Sequence, residues 1–420
     1  MLPLKFRRPL TAVTLGLSAL GVGARAASAE PAPAFAELLT QSQATAPRLA
    51  ESRAEIARAQ GLARQAAVIP NPTLAVDVEN FSGSGPYRGT SLSETTAQIQ
   101  QPLELGGKRS ARIAAGRAEV TAAQARARNV QVGYAFDLAV AYAEAEASDR
   151  RLGLAEETLA LAQEDARIAS ALVDAGREAE LRRLQAQTAV QAARAGVDEA
   201  RATRAVAFAN LTTLTGSPAP LTSVRESLLD SRSPLVPGFS PASATAAAFV
   251  AAQAEREAAA RRLQVERRRA VPDVTVSVGF RRFSEDDATA IVAGVSAPLP
   301  LFDRNRGNVA AARAEISMAE ARLNAARLEA EAAVGTSATR VAAAETRLAA
   351  AQEGERTAQE AYRLARIGYE AGKLPLVELV NARRALADAR AQSIAAAVER
   401  IGAQAAQARL GGFATFGEQK

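Results

Sequence analysis

The sequence predicts a mainly α protein that also carries a membrane β-barrel. The barrel has twelve strands closed from three chains of four strands each, and a long α-helical coiled-coil tube continues it. Three observations predict this: an internal two-fold repeat, a pair of alternating strands ahead of each copy's helices, and helices far longer than a globular core requires. The repeat keeps one spacing. Pro102 falls on Pro298, 196 residues on, within Gln101-Pro102-Leu103-Glu104-Leu105 and Ala297-Pro298-Leu299-Pro300-Leu301. At the same spacing Arg117-Ala118-Glu119-Val120 returns as Arg313-Ala314-Glu315-Ile316, and Asp174-Ala175-Gly176 as Glu370-Ala371-Gly372. Register held this far marks one long helix per copy, because an insertion would rotate and displace everything after it. Across the strands the spacing slips: Pro70 to Pro102 is 32 residues, Pro272 to Pro298 only 26. Length is free in a hairpin loop and fixed in the helix.

Residues 1–29 have a basic start (Lys5, Arg7, Arg8), an apolar stretch from Leu10 to about Val22, and Ala27-Ser28-Ala29 before Glu30. This is the pattern of a secretory signal peptide with a small-residue cleavage site. The apolar run is shorter than the roughly 20 residues that span a bilayer. The 420 residues include no Cys, His or Trp. No thiol is present for lipid attachment, disulfides or soft-metal ligation, and no imidazole for selecting transition metals. Without a common catalytic base or thiol nucleophile, and with no glycine-rich phosphate loop after a strand, no enzyme, cofactor or metal site is expected. The precursor's formal charge of +6 does not point to nucleic acid, since loss of residues 1–29 leaves 47 basic against 45 acidic residues, or +2.

The first repeat spans 30–214. Residues 34–66 read as a helix with Leu38, Leu39, Leu49, Ile56 and Leu62 on a recurring face, ended by Ile69-Pro70-Asn71-Pro72. A β-hairpin follows at about 73–101: Leu74, Val76 and Val78 alternate with Asp77 and Glu79, a Gly-rich stretch from Ser82 to Gly89 turns the chain, and residues 90–101 return. A helix at about 108–173 would reach roughly 100 Å. Gly176 breaks it, and 178–214 returns antiparallel. Residues 215–241, rich in Pro, Ser and Gly, read as a linker over the surface. The second repeat, 242–410, has a helix to Arg269, a hairpin at about 273–298 turned by Ser284-Glu285-Asp286-Asp287, a helix at about 304–369, a break at Gly372, and a return from Leu376. In its long helix Ile316, Leu323 and Ala330 are seven apart, and Val334, Val341 and Leu348 resume that spacing after a shift of four, continued by Tyr362 and Tyr369. This is a coiled-coil seam with a stutter. Residues 411–420 read as a tail.

Alanine dominates the apolar fraction and aromatics are only 4%. Such a chain cannot fill a thick core, but its small residues let helices approach closely in thin arrays. No run of 18 apolar residues follows the signal, so a mature chain that crosses a membrane does so by strands. Strands of about ten residues suit a tilted membrane crossing. Four strands cannot close a barrel, and membrane strands must have both edges paired. Two chains give eight strands with a lumen filled by side chains; three give twelve and an aqueous channel.

The repeated plan and its motifs resemble the TolC family of trimeric outer-membrane efflux ducts over essentially the whole mature chain. The text Glu79-Asn80-Phe81-Ser82-Gly83-Ser84-Gly85-Pro86-Tyr87-Arg88-Gly89, with Gln101-Pro102-Leu103-Glu104-Leu105-Gly106-Gly107-Lys108-Arg109, resembles more narrowly the CzcC branch that serves heavy-metal efflux. The resemblance implies a passive outer-membrane duct of a Gram-negative bacterium that extends into the periplasm. It also implies a homotrimer partnered by a periplasmic adaptor, a proton-driven inner-membrane pump of the resistance-nodulation-division type, and outer-membrane lipid. Drug efflux and type I protein secretion stay open as alternatives. An adaptor with a single coiled-coil hairpin would not carry two copies of strands plus helices, and an exported filament would leave the strands unexplained.

The family's periplasmic tip implies a glycine turn followed six residues later by an acid that rings the closed aperture. Gly372 with Lys373 and then Glu378 matches, preceded by Glu370; in the first copy Asp174 and Gly176 match but Arg182 stands where the acid is expected. Mixed pairs, Arg182 with a Glu378 nearby, are therefore expected in place of a purely acidic ring. As plain helix ends, Gly176 and Gly372 need only a left-handed conformation. Pro102 and Pro298 mark the strand-to-helix junctions and carry no chemistry. Asp286 and Asp287 are candidates for collecting cations at the outer mouth, although loop acids are usually just solvated.

Overall fold

The computed structural model describes residues 30–231 and 246–412. The signal peptide, part of the segment between the repeats and the last eight residues lie outside them. The elements are β1 (Glu30–Ala32), α1 (Phe35–Thr45), α2 (Pro47–Ala66), β2 (Thr73–Glu79), β3 (Glu94–Leu103), α3 (Lys108–Asp174), α4 (Glu180–Thr215), β4 (Leu221–Val224), α5 (Ala247–Arg269), β5 (Val274–Phe283), β6 (Thr289–Ser296), α6 (Arg306–Glu370) and α7 (Leu376–Leu410). At 67 and 65 residues, α3 and α6 each run about 100 Å. Each folds back on its return helix, α3 on α4 and α6 on α7; α3 also packs against α7, and α5 lies between α3 and α6.

The seam read from the sequence of α6 is the face it shields. Ile316, Leu323, Ala330, Val334, Val341, Tyr362 and Tyr369 are half-buried and Leu348 is buried, while most residues between them are exposed. The main core gathers at the middle of α3, where α1, α4 and α7 meet it through Phe35, Leu39, Leu138, Leu211 and Ile401. Tyr142 is fully buried there, edge-on to Phe35 at 5.8 Å, and donates to the Glu226 carbonyl at 2.8 Å.

Two readings need correction. The expected helix over 34–66 is two helices: Ala46 is extended (φ −62°, ψ 122°) because Pro47 disfavours helical geometry in the residue before it, and Pro47 then starts α2. The segment after Thr215 does not run over the surface through its described part. Leu221–Val224 forms β4, which pairs in parallel with β1, and Leu221, Leu228 and Leu229 are buried. Its Pro and Ser content hid a short strand whose partner lies some 190 residues earlier.

All four longer strands join one antiparallel sheet in the order β2-β3-β5-β6. The two hairpins are stitched by β3 and β5 from Glu94↔Phe283 to Leu103↔Val274. Gly279 makes that approach possible: a Cβ there would lie 2.1 Å from the Ala97 carbonyl oxygen.

Candidate functional site

Directly opposed residues in an antiparallel sheet share a face, so the register sorts the side chains into two sets. One face carries Leu74, Val76, Val78, Ile99, Val276, Val278, Phe280, Ile291 and Val295, all exposed. The other carries Asp77, Glu79, Glu94, Thr96, Gln98, Gln100, Ser277 and Arg281. On that polar face Arg281 reaches Glu94 at 3.0 Å, Glu79 at 3.3 Å and the Thr96 hydroxyl at 2.9 Å, a ladder across three strands near the hairpin loops. Among the described residues β2 and β6 each have one edge without a strand partner. A sheet apolar on one side, polar on the other and open at both edges can line an aqueous passage through a membrane only when further copies close it. Among the described residues no helix is long and apolar enough to cross a membrane, and no group of three or more acidic side chains gathers as a metal site.

Asp286 and Asp287 lie in the β5–β6 loop and are engaged locally. Asp287 pairs with Arg282, and Asp286 Oδ1 accepts from the Ala288 amide. Pro102 sits in the last pairs of β3, opposite Thr275, and Pro298 lies two residues beyond β6.

At the opposite end Gly176 (φ 70°) and Gly372 (φ 69°) are left-handed. The Gly176 amide donates to Val173 O and the Arg177 amide to Leu172 O; Gly372 to Tyr369 O and Lys373 to Gly368 O repeat the pattern. These paired bonds are Schellman caps, which satisfy the last carbonyls of α3 and α6 and turn the chain sharply. Asp174 accepts from Arg183 at 2.5 Å. Glu370 lies 3.8 Å from Arg366, Glu378 is exposed and Arg182 half-buried. Within one chain, among the described residues, no ion pair joins Arg182 to Glu378.

Sequence reasoning missed a ladder just above the tip. Arg383 on α7 donates to Asp165 on α3 at 2.7 Å, both mostly buried, with its guanidinium 5.9 Å from the Tyr362 ring of α6. Seven residues on, Arg390 reaches Glu157 at 2.7 Å. The signal was present: Arg383 and Arg390 are one heptad apart, and Glu157 and Asp165 nearly one heptad apart on an antiparallel partner. Also missed was Glu146 in the middle of α3, 3% exposed. It accepts from the Leu228 and Leu229 amides at 2.8 and 3.1 Å, from the Ser227 hydroxyl at 2.6 Å and from Arg150 at 2.6 Å, fastening the inter-repeat segment to the helices. Arg400 holds the same segment by donating to Leu229 O and Ser231 O, and burial pushes its pKa down.

The family described as Outer membrane efflux protein matches residues 38–217 and 240–412. The chain is 42% identical over 410 residues to the nickel-cobalt-cadmium resistance protein NccC of Alcaligenes xylosoxydans xylosoxydans, covering 98% of this chain and 93% of that protein. It is 45% identical over 284 residues to the nickel and cobalt resistance protein CnrC of Cupriavidus metallidurans, covering 68% of each. The outer membrane channel CmeC of Campylobacter jejuni has the same fold, with a TM-score of 0.78 over 92% of this chain and 87% of that one at 14% identity.

Proposed function

Since the chain belongs to the outer membrane efflux protein family, we propose that three copies close into a passive outer-membrane duct that exports heavy-metal cations. The observation that carries this is the four-stranded sheet with one apolar face, one polar face and two open edges. Joining β6 of one chain to β2 of the next closes twelve strands around a polar lumen, whereas eight would leave a lumen filled by side chains. The helices continue the wall into the periplasm. A periplasmic adaptor and a proton-driven inner-membrane pump of the resistance-nodulation-division type deliver the cations and supply both energy and selectivity, because the chain has no His or Cys with which to choose a metal. The similarity to NccC and CnrC, both named for metal resistance, supports the substrate class.

The helix turns form the periplasmic tip and gate, with Glu378, Arg182, Asp174, Glu370 and Lys373 around the aperture. The Asp165–Arg383 pair ties the second repeat's return helix to the first repeat's long helix, so opening requires it to yield or to move as a unit. Deleting the gene should sensitise cells to nickel, cobalt, cadmium or zinc and raise the metal they retain. Unchanged metal tolerance with new sensitivity to hydrophobic drugs would instead place the duct in drug efflux.

A further inference from the structure

Where strands become helices, the chain exposes large apolar side chains beside unpaired cations. After β6, Leu299 is 77% exposed, Leu301 65% and Phe302 99%. Leu103, the last residue of β3, stands on the apolar sheet face, and Leu105 follows it, also exposed. Leu103 thus carries the apolar face to the end of β3, and the other leucines of both Pro-Leu-x-Leu motifs follow the strands as exposed apolar side chains. Immediately beneath are the exposed Arg267, Arg268 and Arg269 at the end of α5, and Arg304 and Arg306 at the start of α6.

The acids nearby are already engaged. Glu104 pairs with Arg112, Asp273 with Lys108 at 2.8 Å and Glu266 with Arg269 at 2.9 Å, and Asp303 accepts from the Asn305 amide at 2.8 Å. Among the described residues Arg267, Arg268 and Arg306 have no carboxylate within 4.0 Å. Three successive residues on a helix sweep about 200° of its circumference, so the 267–269 run presents positive charge outward however α5 is rotated.

We propose that this junction is a collar for anionic phospholipid: Leu299, Leu301 and Phe302 enter the acyl boundary of the helix-side leaflet, and Arg267, Arg268 and Arg306 bind lipid phosphates. Two features commit the occupant to lipid: the exposed apolar residues follow directly in the chain on a strand that carries the sheet's apolar face, and the uncompensated arginines complement phosphate. The collar rests on the membrane-barrel reading, and the test separates the two.

Because the chain lacks Trp, Phe302→Trp and, at mid-sheet, Ile291→Trp each introduce a single fluorophore. The full-length protein is reconstituted in phosphatidylethanolamine vesicles containing either brominated phosphatidylglycerol or brominated phosphatidylcholine. Both positions should be quenched. The Phe302→Trp signal should favour the anionic lipid by about fivefold, the equivalent of one phosphate-bound arginine near an anionic surface. Adding Arg267→Gln, Arg268→Gln and Arg306→Gln should erase that preference and leave Ile291→Trp quenching unchanged. Quenching at Ile291→Trp without quenching at Phe302→Trp would overturn the collar and leave the barrel standing, with a blue-shifted, unquenched emission assigning Phe302 to a second copy of the chain. Quenching at Phe302→Trp that ignores the headgroup would overturn the arginine role. Absence of quenching at both positions would overturn the barrel and the collar with it.

Discussion

Replacing Glu146 by Ala should release the segment between the repeats. The carboxylate is buried and is the acceptor for two backbone amides, Leu228 and Leu229, at 2.8 and 3.1 Å. An orphaned buried donor costs about 1–3 kcal/mol, so two cost roughly 2–6 kcal/mol. Arg150 adds little, because it keeps Asp230 at 2.5 Å and is not left as a lone buried charge. Water reaching the vacated space favours the lower part of the range, so we take about 3 kcal/mol, or roughly a hundredfold in the opening equilibrium. Hydrogen exchange followed by mass spectrometry reads this directly, since amides protected by local structure exchange through such openings. The Leu228 and Leu229 amides should exchange about a hundredfold faster in Glu146→Ala, while amides in the sheet keep their rates. Glu146→Gln, which retains one acceptor oxygen, should fall between. Acceleration of less than about fivefold in Glu146→Ala would refute the idea that this carboxylate fastens the segment.

Three further outcomes are expected. Gly279→Val should abolish the heat-resistant oligomer on unheated gels, since even its Cβ would meet the β3 backbone at Ala97 and Gln98, whereas Gly294→Val, facing only the Ser277 side chain, should be milder. At the tip, Glu378→Ala, Arg182→Glu or Asp165→Ala should raise the conductance of the isolated assembly in planar bilayers, and replacing Asp286 and Asp287 should not; the reverse pattern would place the constriction at the other end. Burial pushes the Tyr142 hydroxyl up from 10.0 to about 12. The folded value is the higher, so its contribution to stability is complete below pH 10 and lost as pH rises through about 12. Alkaline unfolding of Tyr142→Phe should lack that component.

Local signals made much of the fold legible. The 196-residue spacing located both long helices, which end in register at Asp174 and Glu370. Alternation at Leu74, Val76 and Val78 located the first strand of the first hairpin, because a period of two is written in neighbouring residues. The joining of the hairpins through β3 and β5 was not legible, because no local pattern records which strand lies beside which. The pairing of Asp174 with Arg183 was not legible either, because it turns on the rotation of α4 about its axis, finer than a spacing argument resolves. Glu146 looked like any helical acid in an Ala-rich stretch. Its partners lie some 80 residues away, and its role exists only once α3 and the segment after β4 have packed together.

In the proposed trimer one chain supplies four strands of a barrel completed by two more copies. Native mass spectrometry of the full-length protein released from its detergent micelle tests it most directly. Three chains per particle, persisting at concentrations where Gly279→Val falls to single chains, is the predicted result; a stable particle of one, two or four chains would contradict it.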